Sequence, residues 1–171
     1  MGASFVHSLH PAAILDGVKG LLSHAAVDPS TVRADVVRAR SLLRTKHGGR
    51  DAILWLNDHL ERDDELLHLA RPREVSGSTV HGPGIIALTA RQIVFVADTL
   101  RAEDVLHVPL GAIAAVGWTR SRRIGDLTVA TRRSAWEFRR LAAGDLRDLV
   151  ETLAARAPDT VGPRLDADVL G

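Results

Sequence analysis

Eight histidines are the first residues here that could do chemistry, as metal ligands or as acids and bases near neutral pH. Only His7 and His10 stand close together, in HSLH, with no HExxH pattern and no adjacent carboxylate set to complete a metal shell. His68, in ELLHLA, and His107, in VLHVPL, fall among β-prone residues and are expected to be half-buried and to titrate near neutrality. The carboxylates Asp63-Asp64-Glu65 read as a solvated helix end. Ser76-Gly77-Ser78 is a loop, and no GxSxG elbow is present to expose a nucleophile. Gly82-Pro83-Gly84 reads as a turn, since no GxGxxG or Walker sequence accompanies it to cradle phosphate. With zero cysteines there is no thiolate nucleophile, thiolate metal site or disulfide framework. The expectation is a protein that is not an enzyme and uses no metal and no cofactor.

Arginine is the remaining chemistry. Arg120, Arg122 and Arg123 share one predicted turn, SRRIGD, beside Trp118. Arg132-Arg133 and Arg139-Arg140 flank the next hairpin, where strand alternation sends the members of each pair to opposite faces. The turn arginines either hold phosphates, with Trp118 at a membrane interface, or are simply solvated. Lys plus Arg total 22 against 21 for Asp plus Glu, net +1, which argues against a strongly electrostatic nucleic-acid or membrane partner. An aromatic content of 4% argues equally against a base-stacking platform.

These residues need elements to position them. The length of 171 residues suits one domain with a short helical extension, and a hydrophobic fraction of 46% is ample for its core. PAAILDGVKGLLSHA puts Ile14, Leu15, Val18, Leu21 and Leu22 on one helical face. A second helix is expected to be capped by Asp28, to start at Pro29 and to stop at Gly48-Gly49, with Val32, Val36 and Leu43 on its stripe and Arg33, Arg40, Arg44 and Lys46 opposite. A third, over about 50–62, turns Ile53, Leu54, Leu56 and Leu60 inward.

From residue 64 the period changes from helix to strand. ELLHLARPREV, GIIALTA, QIVFVAD, Val105 to Val108, IAAVGWT, LTVATRR and SAWEFRR read as successive strands of a meander. GDLRDLVETLAARA then returns to helical spacing, with Leu146, Leu149, Val150 and Leu153 on one face. A lone amphipathic helix after antiparallel strands must bury its stripe, and the open end of a strongly bent sheet is the place for it. PDTVGPRLDADVLG reads as a poorly ordered tail. No apolar run approaches the roughly 20 residues that span a bilayer. MGASFVH has neither the basic start nor the apolar stretch of a signal peptide, and Val6 spoils the myristoylation pattern.

Taken in order, these segments resemble the bacterial PH-like domains, especially the YokE-like type, and more loosely the PH/GRAM superfold. GIIALTARQIVFV resembles the family's hairpin through Gly84, Leu88, Thr89, Arg91 and Phe95, and HVPLGAIAAVGW its "hydrophobic-PL-x-x-I" segment through Pro109, Leu110 and Ile113. The resemblance runs over residues 57–157, leaving 1–56 as a helical N-terminal segment and 158–171 as a flexible tail. It implies an α+β fold: N-terminal helices, then a seven-stranded antiparallel bent sheet or barrel capped by a C-terminal helix. Within it, Thr89 satisfies turn backbone groups and Arg91 fixes the hairpin rather than binding a ligand.

The basic set that phosphoinositide-binding PH domains carry on their first two strands is largely missing, since no base lies between Arg73 and Arg91 other than His81. The resemblance therefore implies a non-catalytic, cytoplasmic module for a protein or peptide partner, which an exposed sheet edge can accept as a strand. Weak contact of the Arg120, Arg122, Arg123 turn with anionic lipid is the first alternative, and a small-molecule enzyme or binding protein using the space between sheet and helix is the second. Composition rich in Ala, Arg, Asp and Val resembles the coding bias of a high-GC bacterium or its phage.

Overall fold

Strands β3 (Gly84–Thr89) and β4 (Gln92–Ala97) are apolar almost without alternation, and the architecture supplies the reason. Both faces of this hairpin are covered. Ile86, Leu88, Ile93, Phe95 and Ala97 point into one core, while Ile85, Ala87, Val94 and Val96 point into another on the opposite face. A half-exposed antiparallel strand would alternate apolar with polar residues; burial on both sides removes that constraint.

The computed structural model describes residues 32–44, 50–77, 80–98 and 105–162. Among these residues two helices come first, α1 (Ala34–Leu42) and α2 (Arg50–His59). Eight strands follow: β1 (Leu66–Ala70), β2 (Glu74–Ser76), β3, β4, β5 (Val105–Pro109), β6 (Ile113–Arg120), β7 (Ile124–Thr131) and β8 (Ala135–Ala142). Helix α3 (Ala143–Arg156) closes the order, with a short 3-10 turn at Pro158–Thr160. One antiparallel sheet runs β1-β3-β4-β5 and the other β2-β8-β7-β6. Two such sheets with a helix at the C-terminal end are the α+β architecture that the PH-like resemblance implies.

The described residues form eight strands rather than seven because ELLHLARPREV breaks in two. Arg71-Pro72-Arg73 lies between β1, which pairs with β3, and β2, which pairs with β8 in the other sheet. Proline cannot donate to a ladder, so a strand carrying one bends or ends there. The chain thus changes sheets at this point.

The main core lies between the sheets. Phe95 and Phe138 meet there with ring centroids 5.7 Å apart, and Leu146, Leu149, Val150 and Leu153 of α3 join them. Gly84 is required beside Phe95, because an added Cβ would come within 2.5 Å of the ring. The second core places Val36, Leu43, Ala52, Ile53, Leu56 and Leu60 over the outer face of β3 and β4. Each fully buried large side chain contributes on the order of 2 kcal/mol, so α1 and α2 are held by packing rather than by propensity.

Helix α1 begins after Arg33 and ends at Leu42, shorter than the expected span to Gly48. Asp28, Pro29, Lys46 and Gly48-Gly49 lie outside the described residues, as do the helix expected over residues 11–25, the pair His7 and His10, Ser78, the turn at residues 99–103, the side chain of Leu54 and residues 163–171.

Candidate functional site

The Thr89 to Gln92 turn is internally occupied. Thr89 is fully buried; its Oγ1 donates to Asp64 Oδ2 at 2.6 Å and accepts the backbone N–H groups of Arg91 (3.2 Å) and Gln92 (3.0 Å). A threonine bonded in this way satisfies the turn from within. Asp64 is therefore 1% exposed instead of ending a solvated helix. The sequence around it is polar, and the burial comes from Thr89, 25 residues away.

Arg91 reaches Glu61 at 3.1 Å and Asp63 at 2.8 Å. Its hydrogen bond holds the Asp63 carboxyl below the ordinary carboxylate range. The turn also touches the second family-like block: Gln92 pairs with Pro109, and Leu110 N–H donates to the Arg91 carbonyl at 2.8 Å. Leu88 and Phe95 are fully buried, and Ile113 is 5% exposed at the start of β6.

Arg33 pins α1 to the same loop. Its guanidinium bonds Asp35 and the carbonyls of Glu61 and Asp64, while its N–H donates to Asn57 Oδ1 at 3.0 Å. Burial pushes the Asp35 carboxyl up, but the Arg33 hydrogen bond and the Leu66 and Val36 amides hold it below its ordinary value. Arg44 pairs with Asp145 at 3.6 Å and Asp148 at 3.5 Å on α3. Of Arg33, Arg40 and Arg44, it is Arg40 that is exposed without an ion pair among the described residues.

His68 Nε2 lies 3.1 Å from the Asp145 carbonyl, and His107 Nδ1 lies 3.2 Å from Gln92 Oε1. His107 also meets His59 edge-on at 5.8 Å, and its pKa is lowered by desolvation first and by His59 second. Among the described residues no three His, Asp or Glu side chains converge as a metal site would require.

The basic residues occupy two hairpin ends. Arg122 and Arg123 are exposed on the β6–β7 turn; Arg120 is half-buried at the end of β6, and Trp118 is partly buried against the main core. Arg132 and Arg133 do not alternate across a sheet, because β7 ends at Thr131 and both are exposed on the β7–β8 turn.

Arg139 and Arg140 also depart from alternation. The β7–β8 register shifts between Gly125 and Leu127, so two residues of β8 oppose one of β7. Both arginines therefore face outward between buried Phe138 and Leu141. Arg140 adopts φ 57°, with its N–H on Asp126 Oδ1 at 2.8 Å. Arg139 pairs with Glu137 at 2.7 Å and more loosely with Glu74.

Beside β6 lies a different kind of surface. β6 is an edge strand, and its Val116 carbonyl accepts Gly162 N–H at 3.0 Å while Val116 bridges Val161 in parallel. Next to this contact a cleft of about 320 Å3 is lined by Leu110, Ile113, Arg156, Pro158, Asp159 and Thr160, among others. No helix among the described residues is long and apolar enough to cross a membrane.

The chain matches no known family model and no curated protein. Among solved structures it is similar to the Vps36 N-terminal PH domain, at 15% identity and TM-score 0.45, over 58% of this chain and 83% of that one. It is similar to the C-terminal domain of an unknown protein from Leishmania infantum, at 14% identity and TM-score 0.44, over 64% of this chain and 94% of that one. A third likeness is to the hSac2 domain from the human phosphoinositide phosphatase Sac2, at 9% identity and TM-score 0.45, covering 70% of this chain and 90% of that one. These likenesses stand beside the fold described above and carry nothing about ligand or activity.

Proposed function

We propose that this chain is a non-catalytic PH-like interaction module of the YokE-like bacterial type, acting in the cytoplasm by binding an extended segment of a protein partner. The observation that carries this reading is the β6 edge, where Val116 already takes an extended segment, the chain's own Val161–Gly162. Backbone pairing along an edge supplies affinity, and a neighbouring recess takes alternate side chains to supply selectivity. The cleft between Leu110 and Pro158 lies where such a recess is needed. The other polar clusters support a binding role better than a catalytic one, because Asp64, Thr89, Arg91 and Arg33 are committed to one another and to local backbone.

The test is capture of a partner from native lysate by the full chain, followed by hydrogen exchange of the recovered complex. Protection concentrated in residues 113–120 supports strand addition. A partner that leaves those amides unchanged overturns the β6 assignment, and failure to recover any partner counts against the module itself.

A further inference from the structure

The β6 edge is closed by the chain itself. After α3 the backbone turns back through Pro158–Thr160, where Thr160 N–H and Oγ1 both donate to the Ala157 carbonyl, at 3.1 and 2.8 Å. That turn lays Val161 along β6, with Gly162 N–H on the Val116 carbonyl at 3.0 Å. The pairings between named strands are all antiparallel, whereas this bridge is parallel. Ending α3 does not require it. Ala157 N–H already caps the helix on the Leu153 carbonyl at 2.7 Å.

The contact has the character of a seated ligand. Val161 is extended, at φ −87° and ψ 109°, and its side chain packs partly buried against the main core. A β-branched apolar residue suits an extended segment on a half-buried surface. Gly162 leaves room unfilled: an added Cβ would meet the Val116 carbonyl at 3.5 Å, an ordinary contact. A larger residue can therefore stand there.

The contact is also short. Pro158 and Pro163 bracket it in the sequence, and proline has no N–H to give to a ladder. Between them, Thr160 N–H is spent on Ala157. Strand β6 runs for eight residues, so a longer segment without proline can pair along more of it.

We propose that Val161–Gly162 is a tethered stand-in for the partner: the partner's extended segment adds parallel to β6, seats a β-branched apolar residue where Val161 sits, and binds by displacing this strap. The inference rests on the strand-addition reading of β6. It adds the direction of the incoming strand, its anchor residue and a built-in competitor. A tethered competitor need not bind tightly, because a short link holds it at a high effective concentration. Covering the edge in this way shuts out unrelated strands, which an open edge would accept.

The experiment uses the isotope-labelled full chain and a synthetic peptide of residues 156–162 with blocked ends. Gly162→Pro in the chain removes the N–H that Val116 accepts, and extended Val161 suits the position before a proline. The amides of residues 113–120 should shift on adding peptide, at about tenfold lower concentration in Gly162→Pro than in the wild type. The same peptide carrying Val161→Asp should shift neither. A nitroxide at the peptide's C-terminal end should broaden the Arg120 end of β6 more than the Ile113 end.

Equal binding by both proteins overturns the proposal, as does no shift in Gly162→Pro at millimolar peptide or the reverse pattern of broadening. Thermal melts establish folding. If Gly162→Pro is unfolded, Val161→Ser takes its place with the same expected gain; if both are unfolded, the strap is structural and the proposal falls. A lysate partner that protects 113–120 and is captured equally by wild type and Gly162→Pro would leave strand addition standing and remove the strap alone. A partner that leaves those amides unprotected in both would remove the β6 reading itself.

Discussion

Two of the hairpin turns that carry arginine, β3–β4 and β6–β7, have opposite surroundings. At the β3–β4 turn, Arg91 faces Glu61 and Asp63, while Thr89 and Asp64 fill the space beneath. At the β6–β7 turn, Arg122 and Arg123 have no ion pair among the described residues and flank exposed Ile124. The residue type is the same; the difference is what the rest of the chain brings to it. A loop arriving from α2 neutralises the first turn and makes it structural. The carboxylate bonded beside the second, Asp126, is engaged by a backbone N–H, which leaves the guanidinium groups available to a partner.

The sharpest way to break this comparison is to empty the first turn. Thr89→Val removes the hydroxyl that serves Asp64 and two turn amides, leaving a buried carboxylate and unsatisfied donors. Denaturant unfolding should show a loss of about 3 kcal/mol. Arg33→Ala comes next, since it releases α1 from the carbonyls of Glu61 and Asp64; about 2 kcal/mol is expected in the same assay.

Acid titration separates two other carboxylates by sign. Asp35 is held below its ordinary pKa, so its stabilisation is present above the unfolded-state value and disappears as pH falls through the folded one. Asp35→Asn should therefore lower the melting temperature at neutral pH, with the deficit closing in acid. Asp145 is raised by burial, and its Oδ2 has no hydrogen-bond partner among the described residues. Its contribution is greatest below the ordinary carboxylate pKa and is lost as pH rises through the folded value. Asp145→Asn should raise the neutral-pH melting temperature and flatten its decline with rising pH.

The smallest effects test the turn arginines themselves. Arg91→Ala should lower the melting temperature slightly, and less so in high salt, because its ion pairs lie at the surface. Arg122→Ala/Arg123→Ala should leave the melting temperature unchanged at any salt concentration. A clear loss from the second variant would mean that its turn is structural after all, and the comparison would fail.

Much of this fold was readable in the chain. The stripe Leu146, Leu149, Val150 and Leu153 is buried as its spacing requires, and Ile53, Leu56 and Leu60 turn inward from α2 and its end. GIIALTA and QIVFVAD form the central hairpin, with Thr89 closing it. The candidate surfaces were less readable. The basic turn was visible as SRRIGD, but nothing in that segment marked Ile124 as exposed, and alternation placed Arg139 and Arg140 on opposite faces. A bulge is a mismatch between two strands and has no signature in either strand alone. Asp64, likewise, sits in a charged run that gives no sign of burial.

What the sequence by itself determined is the set of elements and their buried stripes, because hydrophobic period and turn chemistry act between near neighbours. The tertiary structure decided which side chains are committed and which are available. It joined Asp64 to Thr89 and Arg91 to Asp63, carried the chain between sheets at Pro72, and turned Arg140 outward at a bulge in β8. Those outcomes depend on contacts between residues far apart in the chain. Their strength is set by burial and electrostatics that exist only once the sheets and helices have packed.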